Sequence, residues 1–130
     1  MAPKEAQRPL GLLIYDCRLN IEKINERLSA VDSLYSDGPV LRKLREHLAE
    51  VTDIERIVGR LSGNLALPRD LISLKQSLAQ VPKILEILSG NDSGLIKGIT
   101  ESISLRLDEV ERIRKEINIA ISDNPPNTLR

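Results

Sequence analysis

Arg60 and Arg69 bracket the turn that divides the most regular apolar stretch of this sequence, and Asp70 directly follows the second of them. A guanidinium carries several donors in a rigid fork, so either arginine can tie down turn carbonyls, pair with Asp70, or reach a neighbouring domain or ligand. Arg42, Lys43 and Arg45 form a second, local basic run and are the candidates for weak phosphate contact. Arg106, Arg112, Arg114 and Lys115 alternate instead with Asp108, Glu109, Glu111 and Glu116, the pattern of a solvated helix face. The chain has no GxxxxGK[ST] phosphate loop, no GxGxxG turn and no Cys/His cluster with metal-ligand spacing. Cys17 and His47 each occur singly, and their spacing does not join them as nucleophile and base. Ser62, Ser73 and Ser77 lack an identifiable base and orienting acid, and Asp108 with Glu111 reads as a surface neighbour pair. No catalytic, cofactor-binding or metal-ligating set is therefore expected, and the chain reads as non-enzymatic.

The elements that position these residues follow from composition and period. With 130 residues the chain suits one domain. Tyr15 and Tyr35 are its only aromatic residues, so Leu, Ile and Val must fill the interior. Lys plus Arg and Asp plus Glu each number 19, which excludes a globally basic nucleic-acid surface. A lone cysteine, the absence of any membrane-length apolar run and a start without a signal-peptide core point to a soluble, cytoplasmic protein.

The organising stretch is Val51 to Leu88. Ile54, Ile57, Val58 and Leu61 recur at helical spacing, as do Leu71, Leu74, Leu78 and Val81, with a turn around Ser62 to Leu67 between them. Before it, Asn20 is placed to cap a helix whose apolar face is Ile21, Ile24, Leu28, Val31 and Leu34. Asp37, Gly38 and Pro39 turn the chain into a helix bearing Val40, Leu41, Leu44 and Leu48. Asp53 caps the next one, and Gly59 inside it marks either close helix packing or a tolerated defect. Pro68 and Asp70 suit a helix start, and Pro82 predicts a kink or break. After a loop at Ser89 to Gly94, one long helix is expected from Leu95 through Ile121, weakened at Gly98. The fold class is all-α: an irregular bundle of four to six helices. Residues 1–19 read as a variable lead-in, 20–124 as the helical core, and 125–130 as a truncated linker.

Taken together, INERLSAV (Ile24 to Val31), DIERIVGRLS (Asp53 to Ser62) and PRDLISLKQSL (Pro68 to Leu78) resemble the core, or lever, domain of the MutS DNA mismatch repair family. The resemblance extends over about residues 8 to 127 and rests on the order and spacing of the pieces. Arg27 and Leu28 in the first, Asp53 and Arg60 in the second and Arg69 and Asp70 in the third fall on its matched positions and, with Leu74 from the apolar face, are the structural or interdomain candidates. The lead-in departs from the family: Pro9 and Gly11 interrupt a usual helix, and Leu13 and Cys17 stand where Trp and Pro are common.

The resemblance implies a mechanical part of a dimeric ATPase that encircles mismatched duplex DNA, coupling DNA-binding and clamp regions to the ATPase domain. ATP and Mg would then belong to an ATPase domain outside this chain. Other domains of the same chain are the implied partners, with a MutL-like protein as a further one. An independent helical protein-interaction module, or the core of a divergent MutS paralogue outside mismatch repair, are the alternatives. Direct duplex binding through Arg42, Lys43 and Arg45 is expected to be weak or absent, and any binding should fall as salt rises.

Overall fold

Side chains that can take up free amides decide where helices begin. In the computed structural model, which describes residues 20–121, Asn20 Oδ1 accepts the Lys23 amide at 3.2 Å and opens α1 (Ile21–Tyr35). Asp37 does the same for Val40 at 3.1 Å and opens α2 (Gly38–Ala49), with Pro39 in its first turn. Asp53 accepts from the Arg56 amide at 2.9 Å and starts α3 (Ile54–Ser62). Pro68 begins α4 (Pro68–Leu88), where its missing donor is no loss. Then come α5 (Gly94–Ser104) and α6 (Leu107–Ala120). The described residues are thus all-helical, with six helices. None of these helices is long and apolar enough to cross a membrane. The lead-in 1–19, with Cys17, and the linker 125–130 lie outside the described residues.

Helix α4 is the axis of the packing. It touches α2, α3, α5 and α6, while α1 lies against α2 and α5. The apolar centre is Ile57 of α3, Leu74 of α4 and Ile117 of α6, with Ile54, Leu61, Leu71, Leu78 and Ile121 packed around it. Burying each such side chain is worth about 1.5–3 kcal/mol, so this cluster ties three helices into one unit.

Three expectations need correction. The first concerns α1: Ile21, Leu28 and Val31 are 75%, 61% and 63% exposed, and it is Ala30 that is buried. Ile24 and Leu34 are half-buried, so the apolar stripe has turned largely away from the other described helices. A small residue at the contact lets α1 approach its neighbours closely, and this leaves the larger side chains outside. The second concerns only the break that was one of the two outcomes expected at Pro82, a kink or a break: α4 runs through it to Leu88. Proline removes the amide that Leu78 would otherwise bond, and α4, which also packs on α5, continues past it.

The third correction is at the end of the chain. The expected long helix is two, divided at Leu105 and Arg106 rather than weakened at Gly98. The two parts pack differently, α5 on α1 and α4 and α6 on α4, which a straight helix could not satisfy. Asp108 and Glu109 in the first turn of α6 favour a fresh helix start there.

Gly59 likewise has no close neighbour: a Cβ built on it meets nothing within 4 Å. Close packing among the described residues therefore does not explain it. Gly59→Ala is expected to stabilise the chain by about 1 kcal/mol through helix propensity alone. Urea unfolding followed by circular dichroism checks this, and a lowered midpoint would show that the glycine is needed for contact.

Candidate functional site at the junction of α3 and α4

The junction is built on the way α3 ends. Asn64 takes the left-handed conformation, with φ 54°. This lets the Leu65 amide reach the Arg60 carbonyl at 2.8 Å and the Asn64 amide reach the Leu61 carbonyl at 3.1 Å. The pair of bonds is the Schellman ending of a helix, with asparagine in the position that glycine most often fills. Gly63, directly before it, has negative φ and only ordinary contacts around a built Cβ.

Arg60 then closes the turn with its side chain. Its Nη2 donates to the Leu65 carbonyl at 3.1 Å, and its Nε lies 3.3 Å from Asp70 Oδ2. The same carboxylate oxygen accepts the Leu67 amide at 2.8 Å, which is the N3-to-cap half of a capping box; Leu67 has no side-chain oxygen to supply the other half. The Asp70 side chain is only 14% exposed and that of Arg60 33%, so solvent screens the pair incompletely. Such a pair contributes on the order of 1 kcal/mol. Its geometric effect is larger, because one guanidinium fixes the end of α3, the loop and the first turn of α4 together.

The remaining sequence candidates fall in different places. Leu74 is core, 7% exposed, one face of α4 away from solvent. Asp53 is the cap of α3 and also lies 3.9 Å from the Arg56 guanidinium. Arg27 is half-buried on α1, whereas Leu28 beside it is exposed. Arg69 is exposed and, unlike Arg60, does not join the junction. Arg42, Lys43 and Arg45 are exposed on α2, on a different element from the junction. His47 is engaged, its Nδ1 lying 2.9 Å from Gln80 Oε1 of α4. Glu111 pairs with Arg114 at 2.6 Å. Among the described residues no group of His, Cys, Asp and Glu could hold a metal ion.

Sequence reasoning overlooked one polar centre. Ser77 is fully buried on α4. Its hydroxyl donates to the Ser73 carbonyl at 2.8 Å, accepts the Thr52 amide at 3.0 Å and lies 2.9 Å from the Thr52 hydroxyl. One donor and two acceptor positions are thereby used, the full capacity of a hydroxyl. The bonds pin the connection between α2 and α3 onto α4. The available signal was position: Ser77 stands between Leu74 and Leu78, where the apolar stripe of α4 faces inward.

These contacts describe a helical scaffold domain, stiffened at its turns and centred on one long helix. A family model described as MutS domain III matches residues 17–130, and the chain belongs to that family. Among its relatives is the DNA mismatch repair protein MutS of Methanosarcina mazei, 42% identical over 114 residues, covering 86% of this chain and 12% of that protein. The MutS proteins of Methanosarcina acetivorans and Alkaliphilus oremlandii are 39% and 38% identical, again over 86% of this chain and 12% of theirs. The chain therefore spans about an eighth of the length of these curated relatives. No solved structure matches it.

Proposed function

We propose that this domain is the mechanical core of a larger MutS-like protein, carrying relative position between a DNA-engaging part and an ATP-hydrolysing part. The observation that carries the reading is α4 with its locked start. At 21 residues it is a rod of about 31 Å, it packs on four other helices, and Arg60 and Asp70 fix its angle to α3. A displacement applied at one end is then delivered to the bundle rather than absorbed in a loop. In this reading ATP and Mg bind in a separate ATPase domain of the parent. The parent acts as a cytoplasmic dimer on mismatched duplex DNA, with a MutL-like protein as a further partner. Arg42, Lys43 and Arg45 are given a subsidiary phosphate contact.

The test is made in the parent protein. Arg60→Ala is expected to lower mismatch-stimulated ATP hydrolysis by about tenfold while basal hydrolysis stays within about twofold, a loss of about 1.4 kcal/mol of coupling. Arg60→Lys should restore it only partly, because an ammonium cannot hold both Leu65 and Asp70 in the fork geometry. Unchanged stimulation, or a parent without a phosphate-loop ATPase, would sink the coupling role.

The exposed stripe of Ile21, Leu28, Val31 and Tyr35 favours a second reading, an independent helical interaction module. A stable, specific complex formed by this chain without any other MutS-like domain would support that reading instead.

A further inference from the structure

A cavity of about 400 Å³ opens where α4 lies along α6, and its walls carry Lys75, Glu111, Arg114, Lys115, Asn118 and Ile119. Three cations stand there against one carboxylate, a local excess of positive charge in a chain that is neutral as a whole. Elsewhere along α6 the charges cancel between neighbours: Arg106 lies 3.6 Å from Glu109, and Arg112 lies 3.8 Å from Glu116. Lys115 stands one turn after Glu111, yet Glu111 turns to Arg114 instead. Lys115 is left exposed, with no ion pair or hydrogen bond among the described residues. From the other wall, the Lys75 ammonium donates to Asn118 Oδ1 at 3.2 Å, which joins α4 to α6 across the cavity.

The Arg114 guanidinium adds an independent observation. Its Nη1 donates to Glu111 Oε1 at 2.6 Å, whereas its Nε is buried and has no hydrogen-bond partner. It is the one buried side-chain nitrogen or oxygen among the described residues in that condition. Nη2, which shares an edge of the guanidinium with Nε, bonds nothing among the described residues either. That edge carries two parallel N–H groups, the fork that takes two oxygens of a single oxyanion. A buried donor left unpaired is costly, so a ligand that takes it up gains more than a contact made wholly in water.

We infer that the cavity between α4 and α6 binds the phosphate group of a small phosphate monoester. Such a group carries close to two negative charges at neutral pH and so matches the excess on the walls, whereas a carboxylate or a phosphodiester brings only one. A small outward turn of the Arg114 guanidinium about its bond to Glu111 sets Nε and Nη2 on two phosphate oxygens. Lys115 closes on the third, and Lys75 adds its charge from α4 while it keeps Asn118 in place. Ile119, 86% exposed, forms the apolar part of the wall and meets the organic group of the ester. Glu111 opposes the anion and holds the affinity down. This assignment does not depend on the coupling role proposed above.

The test uses the whole 130-residue chain labelled with nitrogen-15, in which the Arg114 Nε–H signal reports the bond directly. Phenyl phosphate is the probe and benzoate, the same ring with a carboxylate, is the comparison, both at one ionic strength set with sodium chloride. Phenyl phosphate is expected to shift the Arg114 signal with half-saturation at about 1 mM, and benzoate to need about tenfold more. Lys115→Glu, a change at an exposed position that should leave the circular dichroism spectrum unaltered, should weaken binding about tenfold or more. Arg114→Lys, read at the Asn118 side-chain amide, should do the same because an ammonium lacks the fork. Glu111→Gln removes the opposing charge and should tighten binding severalfold. An Arg114 signal that phenyl phosphate leaves in place, or affinity unchanged by Lys115→Glu, overturns the inference. Equal binding of inorganic phosphate would make the ligand the free ion, and an equal shift from a duplex of about 20 base pairs at the same phosphate concentration would make it the DNA backbone. Either result overturns the assignment to a monoester.

Discussion

Leu74→Asp is expected to unfold the chain, or leave it within about 1–2 kcal/mol of unfolding, at neutral pH. Leu74 is 7% exposed and meets Ile57 of α3 and Ile117 of α6, so its loss is felt by three helices at once. Removing the isobutyl group alone costs about 2–5 kcal/mol, the value expected for Leu74→Ala. Aspartate adds a carboxylate with no partner in an apolar cluster, a further cost of several kcal/mol whether it stays charged or takes up a proton. The sum approaches the roughly 5–15 kcal/mol that holds a domain of this kind together. Urea titration of the wild type, Leu74→Ala and Leu74→Asp, followed by circular dichroism, separates the two contributions. A Leu74→Asp midpoint close to that of the alanine variant would mean that the carboxylate reaches water.

The core at Leu74 could be read from the sequence because both sides of it obey the same rule. Ile57 and Leu61 on α3, and Leu71, Leu74 and Leu78 on α4, recur at three and four and meet across a short turn. Helix starts were equally readable, since Asn20, Asp37 and Asp53 each carry an oxygen that can take an amide in the first turn. Periodicity has a limit, which α1 shows. Spacing states which residues share a face; it does not state which part of the molecule covers that face. Ile21, Leu28 and Val31 share one, and it is exposed among the described residues.

The division between α5 and α6 was hidden for a related reason. Ile103, Leu107 and Val110 keep helical spacing across Leu105, although the chain turns there and leaves Leu105 86% exposed. A one-dimensional pattern is blind to a change of direction that preserves its period. At the junction, the arginine, the aspartate and the turn residues all stood out. Which arginine would close the turn did not, because Arg60 gains its place from the left-handed Asn64, which brings the Leu65 carbonyl within reach of the guanidinium. Arg69, just inside α4, is exposed instead.

Ser77→Ala should be the second most damaging of these changes, at about 1–3 kcal/mol, although it removes a single oxygen. The hydroxyl sits at zero exposure and is shared by the Ser73 carbonyl, the Thr52 amide and the Thr52 hydroxyl. The Ser73 carbonyl keeps its helical bond from the Ser77 amide, so the loss falls on Thr52, whose amide is then left at a partly buried site without an acceptor. Packing contributes little, because the cavity left is smaller than a methyl group. The Thr52 hydroxyl can turn to water, so Thr52→Val alone should cost less than Ser77→Ala, and a double-mutant cycle should return a coupling of about 0.5–1 kcal/mol. Amide exchange supplies the local readout: the Thr52 amide should lose its protection in Ser77→Ala while the Ile57 and Leu74 amides keep theirs. Equal loss at all three would mean that Ser77 supports the bundle as a whole. Selective loss at Thr52 would identify Ser77 as the clasp that holds the α2–α3 connection on α4, one turn before the His47–Gln80 contact joins α2 to α4.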